Sequence, residues 1–262
     1  MRKKIEIDEA RDWQGRLLDC SGCERRAELA HGRCRLGHAC VHDRYARRID
    51  RFFRWNPQLA KEYLDSPYFE TRAVAAKYVE VFQLPRLIAD PDETVRQSVA
   101  QRLPLRSRHL QALSRDPHRE VRIRVAERLE IRDLVTMIDD LDYYVRQIVA
   151  RRLPPSMLVR MLHDSDREVR KVVARRVGHE WLHTMAKDPE LDVRLEAIRR
   201  MDGSQLKHYR EDPDWRVRYE VATRLDPAEL LPMRVDPDAT VRELVEERLS
   251  GRYDPDRLPE AC

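Results

Sequence analysis

Through residues 66–250 the apolar side chains keep helical spacing, and the pattern returns every 24 residues. Val95, Val99 and Leu103 stand at i, i+4 and i+8, one stripe of a helix, with polar and charged residues filling most positions between. The same stripe opens at Val121, Val145, Val169, Val193, Val217 and Val241, each followed by arginine, in steps of 26 and then five of 24. Thr71–Arg72 lies 24 residues before Val95 and reads as a degenerate first copy, so eight tandem units are expected. Such regularity marks a solenoid, whose units bury their apolar faces only against one another.

The cleanest unit is DPDETVRQSVAQRLP, Asp90–Pro104. Asp90 is expected to cap the helix, its carboxylate accepting first-turn amide protons. Pro91 suits the first helical position, and Asp92 and Glu93 favour the positive end of the helix dipole. The aspartate returns as Asp116, Asp140, Asp164, Asp188, Asp212 and Asp236. Ala100, Ala126, Ala150, Ala174 and Ala222 lie beside the stripe, small enough to admit a neighbouring backbone. Pro104, Pro154, Gly178, Asp202 and Asp226 end the helices. The segment that follows, such as SMLVRMLHD, leaves room for a turn or two of α or 3-10 helix.

Leucine-rich repeats also run at this period, but they need an L-x-x-L-x-L strand and an asparagine ladder. The segment VRKVVARRV has helical spacing instead, and the strand reading fails. Helical-pair repeats of about 34–47 residues are too long for this ruler.

Charge changes the picture in two ways. Charged residues make up 37% of the chain, yet 51 Lys and Arg nearly balance 47 Asp and Glu. A net +4 argues against a coat for nucleic acid. The excess sits in residues 1–65, with 15 basic against 11 acidic side chains, whereas residues 66–249 hold 34 against 33. MRKKIEIDEARDWQ has no apolar core and is not expected to act as a signal peptide. No apolar run approaches the roughly 20 residues of a membrane span. A soluble cytoplasmic protein is expected, with its thiols reduced.

Four of the five cysteines fall in CSGCERRAELAHGRCRLGHAC, as Cys20, Cys23, Cys34 and Cys40. In a reducing compartment such a cluster points to metal or redox chemistry rather than disulfides. Cys20 and Cys23 form a two-thiolate clamp, and Cys34 and Cys40 are close enough to complete a shell. Gly22, Gly32 and Gly37 allow the backbone to fold tightly around a centre. Only Leu29, Leu36 and Ala39 are on hand as apolar support, so the segment needs its metal to hold together. A structural zinc prefers two tight pairs, and an iron–sulfur cluster accepts four thiolates at less regular spacing. Spacing leaves both open. His31, His38 and His42 are nearby and are expected at the surface rather than as ligands. Cys262 stands apart and is expected to play no part.

The repeat D-P-x-x-x-V-R-x-x-V-A-x-R-L-P, with a leucine about five residues later, resembles the leucine-rich repeat variant family. The resemblance covers residues 66 to about 250 and reaches the cysteines, because the family's matching member carries an N-terminal iron–sulfur cluster. Thr71, Leu141, Ser165 and Glu246 depart from the pattern. The implied fold class is all-α: a right-handed superhelical solenoid of 24-residue repeats, alternating α and short 3-10 helices, with a small N-terminal Cys-rich metal-cluster subdomain. The expected division is a Cys-rich subdomain over 1–45, a helical connection over 46–65, the repeats over 66–250 and a tail over 251–262. The implied cofactor is a [4Fe–4S] cluster on Cys20, Cys23, Cys34 and Cys40, with zinc as the alternative.

Nine arginines against four acids in residues 24–54, among them Arg25, Arg26, Arg33, Arg35 and Arg44, either decorate a solvated surface or steer an acidic partner. Two further arginine series follow the ruler, one opening with Arg96 and Arg122 and the other with Arg102 and Arg128. Rows of this kind can track phosphates. The alternative is that they pair with the periodic aspartates Asp92, Asp142, Asp166, Asp214 and Asp238, which the near-neutral repeat charge favours. The expected function is an iron–sulfur interaction scaffold, with electron transfer or redox sensing. Its partner is expected to be another protein, ahead of nucleic acid, with no membrane and no small-molecule substrate. No nucleophile–base pair or phosphate loop is legible, so the chain is not expected to be an enzyme.

Overall fold

The computed structural model describes residues 10–253. Cys262 and most of the expected tail lie outside the described residues. The chain forms two compact units, Met1–Met137 and Ile138–Cys262. Among the described residues every regular element is an α or 3-10 helix. Isolated antiparallel bridges join Arg11 to Leu17 and Arg35 to Ala39.

In the first unit α1 (Arg26–Ala30) and α2 (Ala46–Trp55) precede a 3-10 helix at Pro57–Tyr63. The repeats begin with α3 (Phe69–Ala75) and α4 (Glu93–Arg102), separated by the 3-10 helix Val81–Leu87. Thr71, the degenerate residue, is buried like the valines that replace it later. The second unit carries the same alternation: Tyr143–Arg152, then 3-10 helix Pro155–Met161, then Arg167–Arg176 and onward to Ala239–Leu249. Val95, Val99 and Leu103 are buried, as are Val145, Val149 and Leu153. The alanines beside them are also buried, so the stripe is the seam between stacked helices.

The capping residue is not the one expected from sequence. Asp92, not Asp90, accepts the Thr94 N–H at 2.8 Å and starts α4. Asp142, Asp166, Asp214 and Asp238 do the same in their repeats. The helices with such a cap run ten or eleven residues. Those that start at Tyr68, His118 or Glu190 have no side-chain cap and run seven or eight. A proline one position before the cap only directs the chain into it.

The ruler aspartate has another task. Asp90 accepts the Asp92 N–H at 2.9 Å, forming a tight turn, and takes two bonds from Arg72 of the preceding repeat at 2.7 and 2.8 Å. Arg96 reaches Asp116 likewise, and in the second unit Arg146, Arg170, Arg194 and Arg218 reach Asp164, Asp188, Asp212 and Asp236. The Nη1 of each arginine also donates to the carbonyl six residues earlier: Ser66 O for Arg72, and the carbonyl of its own repeat's aspartate for the others, as Arg96 does to Asp90 O at 2.6 Å. These arginines therefore pair with the ruler aspartates, whereas Asp92, Asp142, Asp166, Asp214 and Asp238 serve as helix caps. The second series donates to backbone: Arg200 bonds Ala174 O at 2.7 Å and Val177 O at 2.6 Å, at the end of the preceding helix. A helix leaves its last carbonyls unpaired, and a guanidinium from the next repeat supplies the donors.

Candidate metal centre

The segment bearing the cysteines has little secondary structure and is built from turns. Asp12 accepts the N–H groups of Gln14 and Arg16 at 2.9 Å each. Burial works to raise its carboxyl, but the Arg16 guanidinium and these amides outweigh it and hold it below the ordinary carboxylate range. Between Cys34 and Cys40 the chain doubles back: Arg35 and Ala39 exchange two backbone bonds of 2.8 Å. Gly37 takes a φ of 67° at that reversal, a left-handed conformation that costs a side-chain-bearing residue about 1–2 kcal/mol.

Cys20, Cys23, Cys34 and Cys40 are all free thiols. Cys34 and Cys40 are buried, and Cys20 and Cys23 are half-buried. They form one electrostatic group. Cys40 hydrogen-bonds Cys34, and that bond draws the Cys34 thiol down. The same bond, reinforced by burial, pushes Cys40 up. Burial raises Cys20 as well, with Cys40 and Cys23 as the next contributors.

Backbone amides face three of the sulfurs. The Arg25 N–H lies 3.4 Å from Cys23 Sγ, and the amides of Arg35 and His42 bond the sulfurs of Cys34 and Cys40. Amide–sulfur bonds of this type tune thiolate-bound iron–sulfur centres. A zinc ion would gather sulfurs about 2.3 Å from one point. The donor set, four free thiols with backbone amides directed at three of them, fits a thiolate-bound metal centre.

The module is tied to the first repeat. Tyr63 donates to Glu24 at 2.8 Å and accepts from Arg25 at 2.5 Å, and Arg25 also reaches Glu62 at 2.5 Å. Burial pushes the Tyr63 hydroxyl well above its ordinary range. Tyr68 donates to Arg44 O at 2.8 Å. Asn56, fully buried, spans from the C-terminal end of α2 to the cysteine loop: its Nδ2 donates to Phe52 O at 2.9 Å and to Arg33 O, beside Cys34, at 2.7 Å. Asp43 is fully buried after Cys40 and accepts from Arg48 at 3.0 Å.

Of the expected apolar support only Ala39 is buried, while Leu29 and Leu36 are exposed. His31 is at the surface, its Nδ1 2.7 Å from Ala27 O. His38 is engaged by Arg51, and His42 packs against Tyr63 with ring centres 6.2 Å apart. Burial lowers the His42 imidazole below its ordinary range. Asn56, Tyr63 and Asp43 carry no motif. Their one legible signal is that Asn56 is the sole asparagine in the chain.

Residues 10–62 match a family model described as "LRV protein FeS4 cluster", a span that contains all four clustered cysteines. Residues 143–166 match the model "Leucine rich repeat variant". An uncharacterized 27.7 kDa protein in the nifB 3' region of Rhodobacter capsulatus is 52% identical over 99 residues. That match spans 38% of this chain and 40% of the relative's length. A solved structure described as a leucine-rich repeat variant with a novel repetitive protein structural motif is 45% identical, with a TM-score of 0.83. It covers 88% of this chain and 99% of that one. The repeats, the helix alternation and the cysteine module thus converge, and the chain belongs to the leucine-rich repeat variant family.

Proposed function

We propose that Cys20, Cys23, Cys34 and Cys40 ligate one [4Fe–4S] cluster, and that the protein is an electron carrier or redox sensor whose repeats serve as a scaffold for a partner protein. The observation that carries this reading is the group of four clustered free thiols, Cys34 and Cys40 buried and hydrogen-bonded to each other, with backbone amides directed at three of the sulfurs. It lies within the span matched by the iron–sulfur family model. Bound there, such a cluster supplies one-electron redox chemistry, tuned by charge, sulfur hydrogen bonds and exposure. The chain's own contribution is to bury Cys34 and Cys40, leave Cys20 and Cys23 nearer solvent, and fix all four from a rigid helical base. With four protein thiolates no iron is left open to substrate, which supports a non-catalytic role. No helix among the described residues is long and apolar enough to cross a membrane. A reducing, cytoplasmic setting suits free thiols.

The test is iron, sulfide and zinc analysis with a visible spectrum on protein purified without oxygen. About four irons and four sulfides per chain, with broad absorption that bleaches on oxidation, are expected. A colourless protein with one zinc per chain overturns the reading.

A further inference from the structure

Helix α2 presents three faces, and two are occupied. Ile49, Phe52 and Phe53 are buried in the core. Asp50 accepts from Tyr78 of the first repeat at 3.0 Å. The third face runs Arg47, Arg51 and Trp55, spaced i, i+4 and i+8. It adjoins the loop between Cys34 and Cys40: Arg51 Nη1 donates to His38 O at 2.9 Å, and the Trp55 ring centre lies 5.8 Å from that of His38. Leu36 at 44% and Trp55 at 37% are exposed large apolar side chains of this surface. Arg35 and Arg47 are exposed with them.

Among the described residues the charge of this face is not neutralised. Glu28, Asp43 and Asp50 are held by Arg33, Arg48 and Arg54, and Glu24 accepts from Tyr63. These are the four carboxylates of residues 20–55, which carry nine arginines. Among the described residues no carboxylate pairs with Arg35, Arg47 or Arg51. In the repeats the opposite holds, since the Val-Arg series from Arg72 to Arg218 is largely matched by buried aspartates.

We propose that Arg35, Arg47 and Arg51, around Leu36 and Trp55, form the docking face for an acidic one-electron carrier protein. The proposal rests on the [4Fe–4S] reading. An apolar centre with a charged rim is the anatomy of a protein interface. Unpaired cations on the rim steer an acidic partner and make its association salt-dependent. The docked partner would sit on the backbone between two buried cysteines. One electron crosses: the donor is oxidised, the acceptor is reduced, no bond forms or breaks and no proton moves.

The experiment uses the full chain purified anaerobically, titrated with a plant-type [2Fe–2S] ferredoxin, a flavodoxin and a mixed-sequence DNA duplex at low and physiological salt. Binding is read by calorimetry. Salt-sensitive association with at least one carrier is expected, weakened about tenfold in R35Q/R47Q. Among the described residues neither arginine side chain makes a hydrogen bond or ion pair, so the variant should keep its iron content and spectrum. Leu36→Ser should weaken binding without altering its salt dependence. Binding to neither carrier, binding insensitive to R35Q/R47Q, or tighter binding to DNA overturns the proposal. An iron-free preparation overturns the cluster reading with it, whereas an iron-loaded protein that binds neither carrier overturns the docking face alone.

Discussion

Arg170 in one repeat donates two hydrogen bonds, of 2.7 and 3.1 Å, into the carboxylate of Asp188 in the next. The side chains keep only 12% and 7% of their accessibility. The third donor of the arginine reaches Asp164 O at 2.8 Å, so one guanidinium joins a turn of its own repeat to a turn of the following one. The same geometry recurs along both units and makes the stacking distance a property of side-chain length.

Breaking such a pair leaves a buried charge without its partner. Arg170→Ala or Asp188→Ala is expected to lower stability by about 3–5 kcal/mol in chemical denaturation. Arg170→Lys should recover only part of this, since an ammonium cannot reproduce the two-pronged bond. A double variant that costs the sum of the singles would show that the pair is not coupled.

The pairs also set the acid limit. Burial works to raise the carboxyls of Asp90 and Asp236, but their arginines and turn amides outweigh it and hold both below the reference 3.8. A group whose pKa is depressed on folding stabilises the native state above its unfolded value and loses that contribution as pH falls through the folded one. Stability from these pairs should therefore be level above about pH 4 and decline below it. Asp236→Asn should flatten that decline in acid titrations followed by circular dichroism.

Arg200 closes the preceding helix through two carbonyls. Arg200→Ala should cost about 1.5–3 kcal/mol, the range for bonds from a charged donor. Hydrogen exchange should rise first at the C-terminal end of Arg167–Arg176. Faster exchange confined to Leu191–Ile198, the helix just before Arg200, would contradict the cross-repeat role.

In the cysteine module, serine at any of Cys20, Cys23, Cys34 or Cys40 should reduce iron retention, while Cys262→Ser should not. Asn56→Ala should weaken retention without removing a ligand, because the loop before Cys34 loses its tie to α2. Iron content with visible absorbance checks both. Chelation of the metal under oxidising conditions should raise hydrogen exchange within residues 10–62 and leave the repeats protected.

The period, the helical stripes, the helix ends and the four cysteines are written locally, in residue type and spacing, and the sequence alone determined them. Whether the second or the first aspartate caps a helix is not local. Both can, and the choice falls to Asp92 because Asp90 is claimed by an arginine 18 residues earlier, through packing that exists only once repeats stack. For the same reason the two arginine series, alike in sequence, divide in space between carboxylates and carbonyls. The cysteine module shows the contrast most sharply. Its four clustered thiols stand out by spacing alone, but Asn56, Asp43 and Tyr63 take their roles from burial and from partners up to 39 residues away. Only the tertiary structure brings such groups together, because a polar side chain gains directional meaning when its surroundings exclude water and leave it a single partner.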